Sequence, residues 1–146
     1  MNITLRNAAI NDLESVYLLV CDLEGYSMDR IAFENVYSIN LSNPNIYYLI
    51  AEKENRIVGF LSLHVQHILH HSKPTCELQE LNISSELRGY GIGALLMNEA
   101  ERIAKELNLE EIELTTKIHR ERAQSFYNKL GYKFTHMKFV KNLLAS

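Results

Sequence analysis

The stretch Leu81-Asn82-Ile83-Ser84-Ser85-Glu86-Leu87-Arg88-Gly89-Tyr90-Gly91-Ile92-Gly93-Ala94-Leu95-Leu96 decides the fold. The segment from Glu77 to Ile83 reads as a strand. The spacing of Ile92, Leu95, Leu96, Ala100, Ile103 and Leu107 puts one apolar face on a helix from Gly91 to Leu107. Between strand and helix lie three glycines in five residues, Gly89, Gly91 and Gly93. Glycine lets the backbone approach a ligand closely, and the N–H groups of a first helical turn have no acceptor inside the helix. With the helix dipole they form an anion site, and Arg88 adds a cation beside it. A turn that is merely tight is the alternative. No Gly-Lys-Ser/Thr follows, so this is not a Walker A loop. Nor is it a dinucleotide fingerprint, which needs Gly-x-Gly-x-x-Gly after a first strand and an acidic residue about 20 positions on.

Outward from this unit the chain alternates sheet and helix signals. Asn2 to Asn7 reads as a first strand. Asn11 or Asp12 caps a helix with the stripe Leu13, Val16, Tyr17 and Val20, closed by Gly25. A second helix is expected from about Asp29 to Leu41, with Ile31, Val36 and Ile39 apolar, stopped at Ser42-Asn43-Pro44-Asn45. Two strands at 46–51 and 57–63 flank a polar turn at Glu54 and Asn55 and predict a hairpin. On the C-terminal side, 111–115 alternates as a strand. Glu121 to Leu130 is a helix ended by Gly131, and Tyr132 to Val140 is expected as a last strand. The order predicts an α/β (α+β) fold, a mixed and mostly antiparallel sheet flanked by about four helices, in a single domain spanning 1–146.

Composition narrows the function classes. The 146 residues, 47% hydrophobic and 23% charged, suit one globular domain with a real core. A net charge of −3 lacks the basic field that nucleic acid requires, so no nucleic-acid partner is expected. No apolar run approaches the roughly 18–20 residues of a membrane span, and no signal segment is visible. Cys21 and Cys76, 55 positions apart, have neither metal-ligand nor redox spacing, which points to a reduced, cytoplasmic setting.

Arg88, Gly91 and Gly93, between a strand and a helix, resemble motif A of the GNAT superfamily of acyl-CoA-dependent N-acetyltransferases, Gln/Arg-x-x-Gly-x-Gly/Ala. Ala123-Gln124-Ser125-Phe126-Tyr127-Asn128-Lys129-Leu130-Gly131-Tyr132 resembles that family's motif B, Ala-x-x-x-Tyr-x-x-x-Gly-Phe/Tyr. The two lie in the family's order, and the likeness covers nearly the whole chain. Within the superfamily, 63–71 (Leu-His-Val-Gln-His-Ile-Leu-His-His), Glu77 to Leu81 and Glu113 to Thr116 resemble stretches of the aminoalkylphosphonate N-acetyltransferases.

The resemblance implies acetyl-CoA as cosubstrate, held by Leu81, Asn82, Ile83, Arg88, Gly89, Tyr90, Gly91, Ile92, Gly93, Ala94, Arg120 and Ala123. Arg120 stands where many relatives carry Asn, which puts one usual coenzyme contact in question. The acceptor is expected to be a small primary amine, an aminoalkylphosphonate. A polyamine, an aminoglycoside and a peptide N-terminus stay open, as do a coenzyme-binding module without catalysis and a metal-binding module. The likeness further implies a homodimer.

Acetyl transfer to an alkyl amine, of pKa about 10.4, requires a base, and the departing thiolate requires a proton. Tyr127 resembles the family's general acid. Glu80 and Glu77 are the base candidates; three positions apart on a strand, they are expected on opposite faces. The amides of Leu81 and Ile83 resemble those that polarise the thioester carbonyl.

Four of the six histidines, His64, His67, His70 and His71, fall within eight residues. Along a strand His67 and His71 share one face, with His64 and His70 on the other, which suits a divalent-metal or phosphonate site at the acceptor end with His67 and His71 as the metal ligands; a solvated loop is the alternative. The aminoalkylphosphonate resemblance implies such an ion.

Overall fold

The computed structural model describes residues 1–144 and divides into two compact units, Met1–Leu114 and the chain from Thr115 onward. In the first unit the elements run β1 (Thr4–Asn7), α1 (Leu13–Glu24), α2 (Arg30–Leu41), β2 (Ile46–Lys53), β3 (Arg56–His67), β4 (Pro74–Ile83), α3 (Ile92–Glu106) and β5 (Ile112–Leu114). The sheet order is β1-β2-β3-β4-β5, with β1 to β4 antiparallel and β5 parallel to β4. A parallel neighbour needs a crossover, and α3 supplies it. The second unit holds α4 (Glu121–Lys129). Five mixed strands and four helices make the α+β class expected from the sequence. Among the described residues no helix is long and apolar enough to cross a membrane.

The sheet has two packed faces. Ile50, Phe60 and their α1 partners Val16, Leu19 and Val20 form a core with Tyr37 of α2. An aromatic chain crosses it, from Phe33 to Tyr37 to Tyr48 to Phe60, with centroid spacings of 6.4, 5.5 and 5.3 Å. On the opposite face α3 comes so close that a Cβ on Gly59 would lie 2.8 Å from Ile83 and 3.2 Å from Leu96. Any larger residue there would have to push aside the tips of the Ile83 and Leu96 side chains. The β2–β3 turn, Glu54-Asn55, has φ of 51° and 61°, the two left-handed residues of a tight hairpin whose twist matches its strands.

Helix α1 turns the expected stripe inward, Val16 and Val20 buried and Leu13 and Tyr17 half-buried, with Leu19 buried beside them, and ends at left-handed Gly25. Helix α2 starts at Asp29, whose carboxylate accepts from the Ala32 N–H at 2.8 Å. Its buried face corrects the expectation. Ile31, Val36 and Ile39 are exposed, whereas Phe33, Tyr37 and Leu41, at a spacing of four, face the core. The helix is apolar on more than one side, and aromatic packing decided which side went in.

Three further expectations change. The β3–β4 register skips between Ser62 and Leu63, which pair with Glu80 and Leu78 and leave Gln79 as an extra residue on β4. That bulge resets the alternation. Glu77 pairs with His64 and Glu80 with Ser62, so both glutamates stand on the same face rather than on opposite ones. Second, β3 ends at His67. His70 and His71 lie in a short 3-10 turn, Leu69–His71, so strand periodicity does not relate His67 to His71. Third, residues 132–144 form no strand. Tyr132 and Phe134 share one parity and Met137 and Phe139 the other, so the alternation breaks where one face would have to continue.

Candidate active site

The glycine turn is built as the sequence demanded. After β4, Ser84 donates its N–H to Val58 O at 2.8 Å, a 3-10 turn covers Ser85–Leu87, and Gly89 and Gly91 take φ of 87° and 86°. A Cβ on either would meet nothing within 4 Å, so backbone conformation, not crowding, calls for glycine at both. Gly91 precedes the first residue of α3 and supplies no side-chain cap, and its carbonyl accepts from Leu95 at 3.1 Å. The N–H groups of Ile92, Gly93 and Ala94 therefore open the helix without intrahelical acceptors. Tyr90 is exposed beside them.

Two residues expected at the coenzyme have their side chains engaged elsewhere. Arg88 donates to Asp22 at 2.6 Å, to Ile83 O at 3.1 Å and to Asn82 Oδ1 at 3.2 Å. Asn82 in turn donates to Leu19 O at 2.8 Å and Asp22 at 2.9 Å. Both side chains fasten the end of α1 to the end of β4. What this turn offers a ligand is therefore main-chain N–H groups. Leu81 and Ile83 lie where β4 has one ladder partner only, because the β4–β5 pairing stops at Leu78–Leu114. An extended ligand can add to such an edge.

Glu80 lines a cavity of about 340 Å³ on the α1/α2 face. Its walls include Val16, Val20, Met28, Phe33, Tyr48 and Phe60, and its carboxylates are Glu24, Asp29 and Glu80. No Lys, Arg or His is among the lining residues. Such a pocket attracts a cationic head on an apolar stem. Glu80 is half-buried; its carboxylate accepts from the Ser62 hydroxyl, which itself accepts the Glu80 N–H at 3.0 Å. Opposite Ser62, Tyr48 accepts from Asn40 Nδ2 at 2.7 Å. Burial raises the Tyr48 phenol above its ordinary value, Asn40 partly offsets this, and the negative charge of Glu80 raises it further. Glu77, also half-buried, has one carboxylate oxygen accepting from Gln79 at 2.9 Å and Gln66 at 3.4 Å. It does not line the cavity.

The histidines part company. His67 closes β3 in an exposed position. His71 brings Nε2 to 3.1 Å from Glu113 and Nδ1 to 3.5 Å from Glu111, and one ligand atom from each of the three residues falls within 4.8 Å of the others.

In the second unit α4 starts after Arg120, and Gln124 Nε2 donates to Lys117 O and Ile118 O at 3.2 and 3.0 Å, bracing the preceding loop. Ala123 is half-buried. Tyr127 packs edge-on against Phe126 and Tyr132, at 5.1 and 6.0 Å. Gly131, at φ 94°, ends the helix and lets the Tyr132 N–H reach Tyr127 O at 3.0 Å. Burial pushes the Tyr127 phenol up to about 12, with Arg120 opposing the shift. It is fully protonated at neutral pH, as a proton donor must be.

Ser62, Glu24, Asp29, Glu111 and Glu113 were not singled out from the sequence. Ser62 had a signal: it is the polar residue inside the run Phe60-Leu61-Ser62-Leu63, and a buried hydroxyl needs a partner.

Residues 9–132 match the acetyltransferase (GNAT) family. The chain is 40% identical over 139 residues to the aminoalkylphosphonate N-acetyltransferase of Salmonella typhimurium, covering 95% of this chain and 90% of that protein. A structure described as a transcriptional regulator from Bacillus halodurans superposes with a TM-score of 0.89 at 25% identity, covering 97% of this chain and all of that one. An aminoglycoside N-acetyltransferase in complex with CoA superposes with a TM-score of 0.86 at 17% identity, over 97% of this chain and 94% of that one. At that identity the last likeness speaks for the fold alone. A glycine turn opening α3, a carboxylate in an amine-suited pocket and a family match through most of the chain converge: this protein belongs to the GNAT family of acetyl-CoA-dependent N-acetyltransferases.

Proposed function

We propose that this chain, working as one domain over 1–146, moves the acetyl group of acetyl-CoA onto the primary amine of an aminoalkylphosphonate. The amine half rests on one observation, the cavity where Glu80 stands with Glu24 and Asp29 among aromatic and aliphatic walls. The phosphonate half rests on the 40% identity to an enzyme so named. Glu80 takes a proton from the acceptor ammonium, directly or through water, and the neutral amine attacks the thioester carbon. The amides of Leu81 and Ile83, on the open edge of β4, suit the pantetheine arm and the developing oxyanion. The amides from Gly89 to Ala94 suit the pyrophosphate. Tyr127 returns a proton to the coenzyme sulfur as the tetrahedral intermediate collapses. Glu77, held by two glutamines, is the weaker base candidate.

A divalent ion has one favourable observation, the His71, Glu111 and Glu113 cluster. An imidazole and two carboxylates fit a borderline cation such as Zn²⁺ or Ni²⁺, and these three residues would hold it. His67 is not part of that cluster.

Thiol release from acetyl-CoA tests the proposal against a panel of 2-aminoethylphosphonate, spermidine, an aminoglycoside and a peptide N-terminus, with and without divalent metal. Turnover led by the aminophosphonate is expected. Leadership by another amine reassigns the acceptor, and no turnover with any amine ends the enzymatic reading of the pocket. Glu80→Gln should lower kcat/KM by about 10²-fold or more, the usual loss when a positioned base is removed.

A further inference from the structure

Ser62 sits without exposure in β3 between Leu61 and Leu63, which are equally buried. A hydroxyl in such surroundings is costly unless bonded. Both of its hydrogen bonds go to one residue. The Ser62 oxygen accepts the Glu80 N–H at 3.0 Å, and its single proton is donated to Glu80 Oε1. The main chain of Glu80 thus fixes the Ser62 oxygen, and that oxygen fixes the Glu80 carboxylate, in a closed ring of two residues. The bulge at Gln79 makes this ring possible, because it brings Glu80 opposite Ser62 on the cavity face. Without the extra residue, alternation would place the position after Leu78 there instead.

We propose that Ser62 is a positioning residue for acetyl transfer: by holding one oxygen of the Glu80 carboxylate it presents the other to the acceptor amine in a fixed direction. The inference rests on the reading of Glu80 as the base. In the step it serves, an acceptor N–H bond breaks and an O–H bond forms on the free carboxylate oxygen, while the Ser62 proton stays where it is. Ser62 itself does not line the cavity, so its removal is felt in the rate and not in acceptor binding.

The test is a cycle of Ser62→Ala, Glu80→Gln and the double variant, assayed with acetyl-CoA and whichever amine of the panel turns over, with melting temperatures recorded alongside. Ser62→Ala should lower kcat about tenfold, the scale of a lost hydrogen bond to a charged group, with acceptor KM within threefold. Ser62→Thr, which keeps the hydroxyl, should return kcat to within threefold of the parent. Ser62→Cys, a weaker donor of similar size, should fall between and covers the case in which the threonine methyl is not accommodated. In the Glu80→Gln background, Ser62→Ala should cost less than twofold. A Ser62→Ala enzyme within twofold of the parent, beside an impaired Glu80→Gln, overturns the positioning role and leaves the base intact. An equal loss from Ser62→Ala in both backgrounds overturns it too, since Ser62 would then act without Glu80. A Glu80→Gln enzyme of full activity strikes the base reading itself.

Discussion

β4 begins beside a turn rich in histidine and ends at a turn rich in glycine, and the two ends behave differently. At the glycine end, composition maps onto backbone conformation. Gly89 and Gly91 lie at φ near +87°, which few other residues adopt, so the residue type and the turn imply one another. At the histidine end, composition maps onto nothing so local. Four imidazoles scatter between a strand and a 3-10 turn, and among the described residues only His71 finds carboxylate partners, about 40 positions away on and beside β5. A cluster constrained by geometry is more informative than one that is merely dense.

The difference can be broken from either side. The largest expected effect is at Gly91→Val. A β-branched residue in the left-handed region costs about 1–2 kcal/mol, and distorting the turn misaims the amides of α3. Coenzyme affinity measured by titration calorimetry should fall by about 30-fold, while the melting temperature drops by only a few degrees. Unchanged affinity would reduce the glycine turn to a structural one. Arg88→Ala is the next in size and should act in the opposite sense. Its side chain ties Asp22, Asn82 and Ile83 together, so the melting temperature should fall by about 3–6 °C while coenzyme affinity changes less than fivefold. A loss of affinity that grows at low salt would instead give the guanidinium a role at the phosphates. At the other end, His67→Ala with His71→Ala should leave metal-free kcat/KM within about threefold. Only the His71 change should alter Ni²⁺ or Zn²⁺ binding by calorimetry. The smallest effect concerns Cys76, near the start of β4. Burial, aided by the charge of Glu113, pushes its thiol up to about 11. It stays protonated at pH 8, so alkylation there should be negligible in the native protein and complete in denaturant. Ready labelling would mean that this end opens.

Much of the fold was legible because it depends on local rules. The β2–β3 hairpin, the Gly131 stop and the centre of the α3 face follow from spacing and from left-handed positions, Ile92, Leu96, Ala100 and Ile103 being buried as expected while Leu95 and Leu107 are exposed and Met97 and Ala104 go in instead. The misreadings share another character. The buried face of α2 depended on which aromatic could join the chain from Phe33 to Phe60, a tertiary matter. Strand alternation alone puts Glu77 and Glu80 on opposite faces, because a one-residue bulge leaves no mark in the sequence, yet it inverts every side chain beyond it. The partners of His71 were invisible because only the parallel β4–β5 pairing brings Glu111 and Glu113 near. Of the candidate site, the backbone conformation of the glycine turn was legible directly, and the placement of the glutamates required the register.

The short β5 has a consequence for handling and survival of the protein. Because its ladder ends at Leu78–Leu114, the stretch from Gln79 to Asn82 has no second ladder partner among the described residues and is open to whatever strand comes by. An open edge is a template for adhesion between molecules as much as a berth for a ligand. Occupancy by the coenzyme arm would close it and stabilise the folded form by mass action. The protein freed of coenzyme should therefore clump sooner on warming than its saturated form, and supply of the cosubstrate would govern the enzyme's lifetime as well as its turnover.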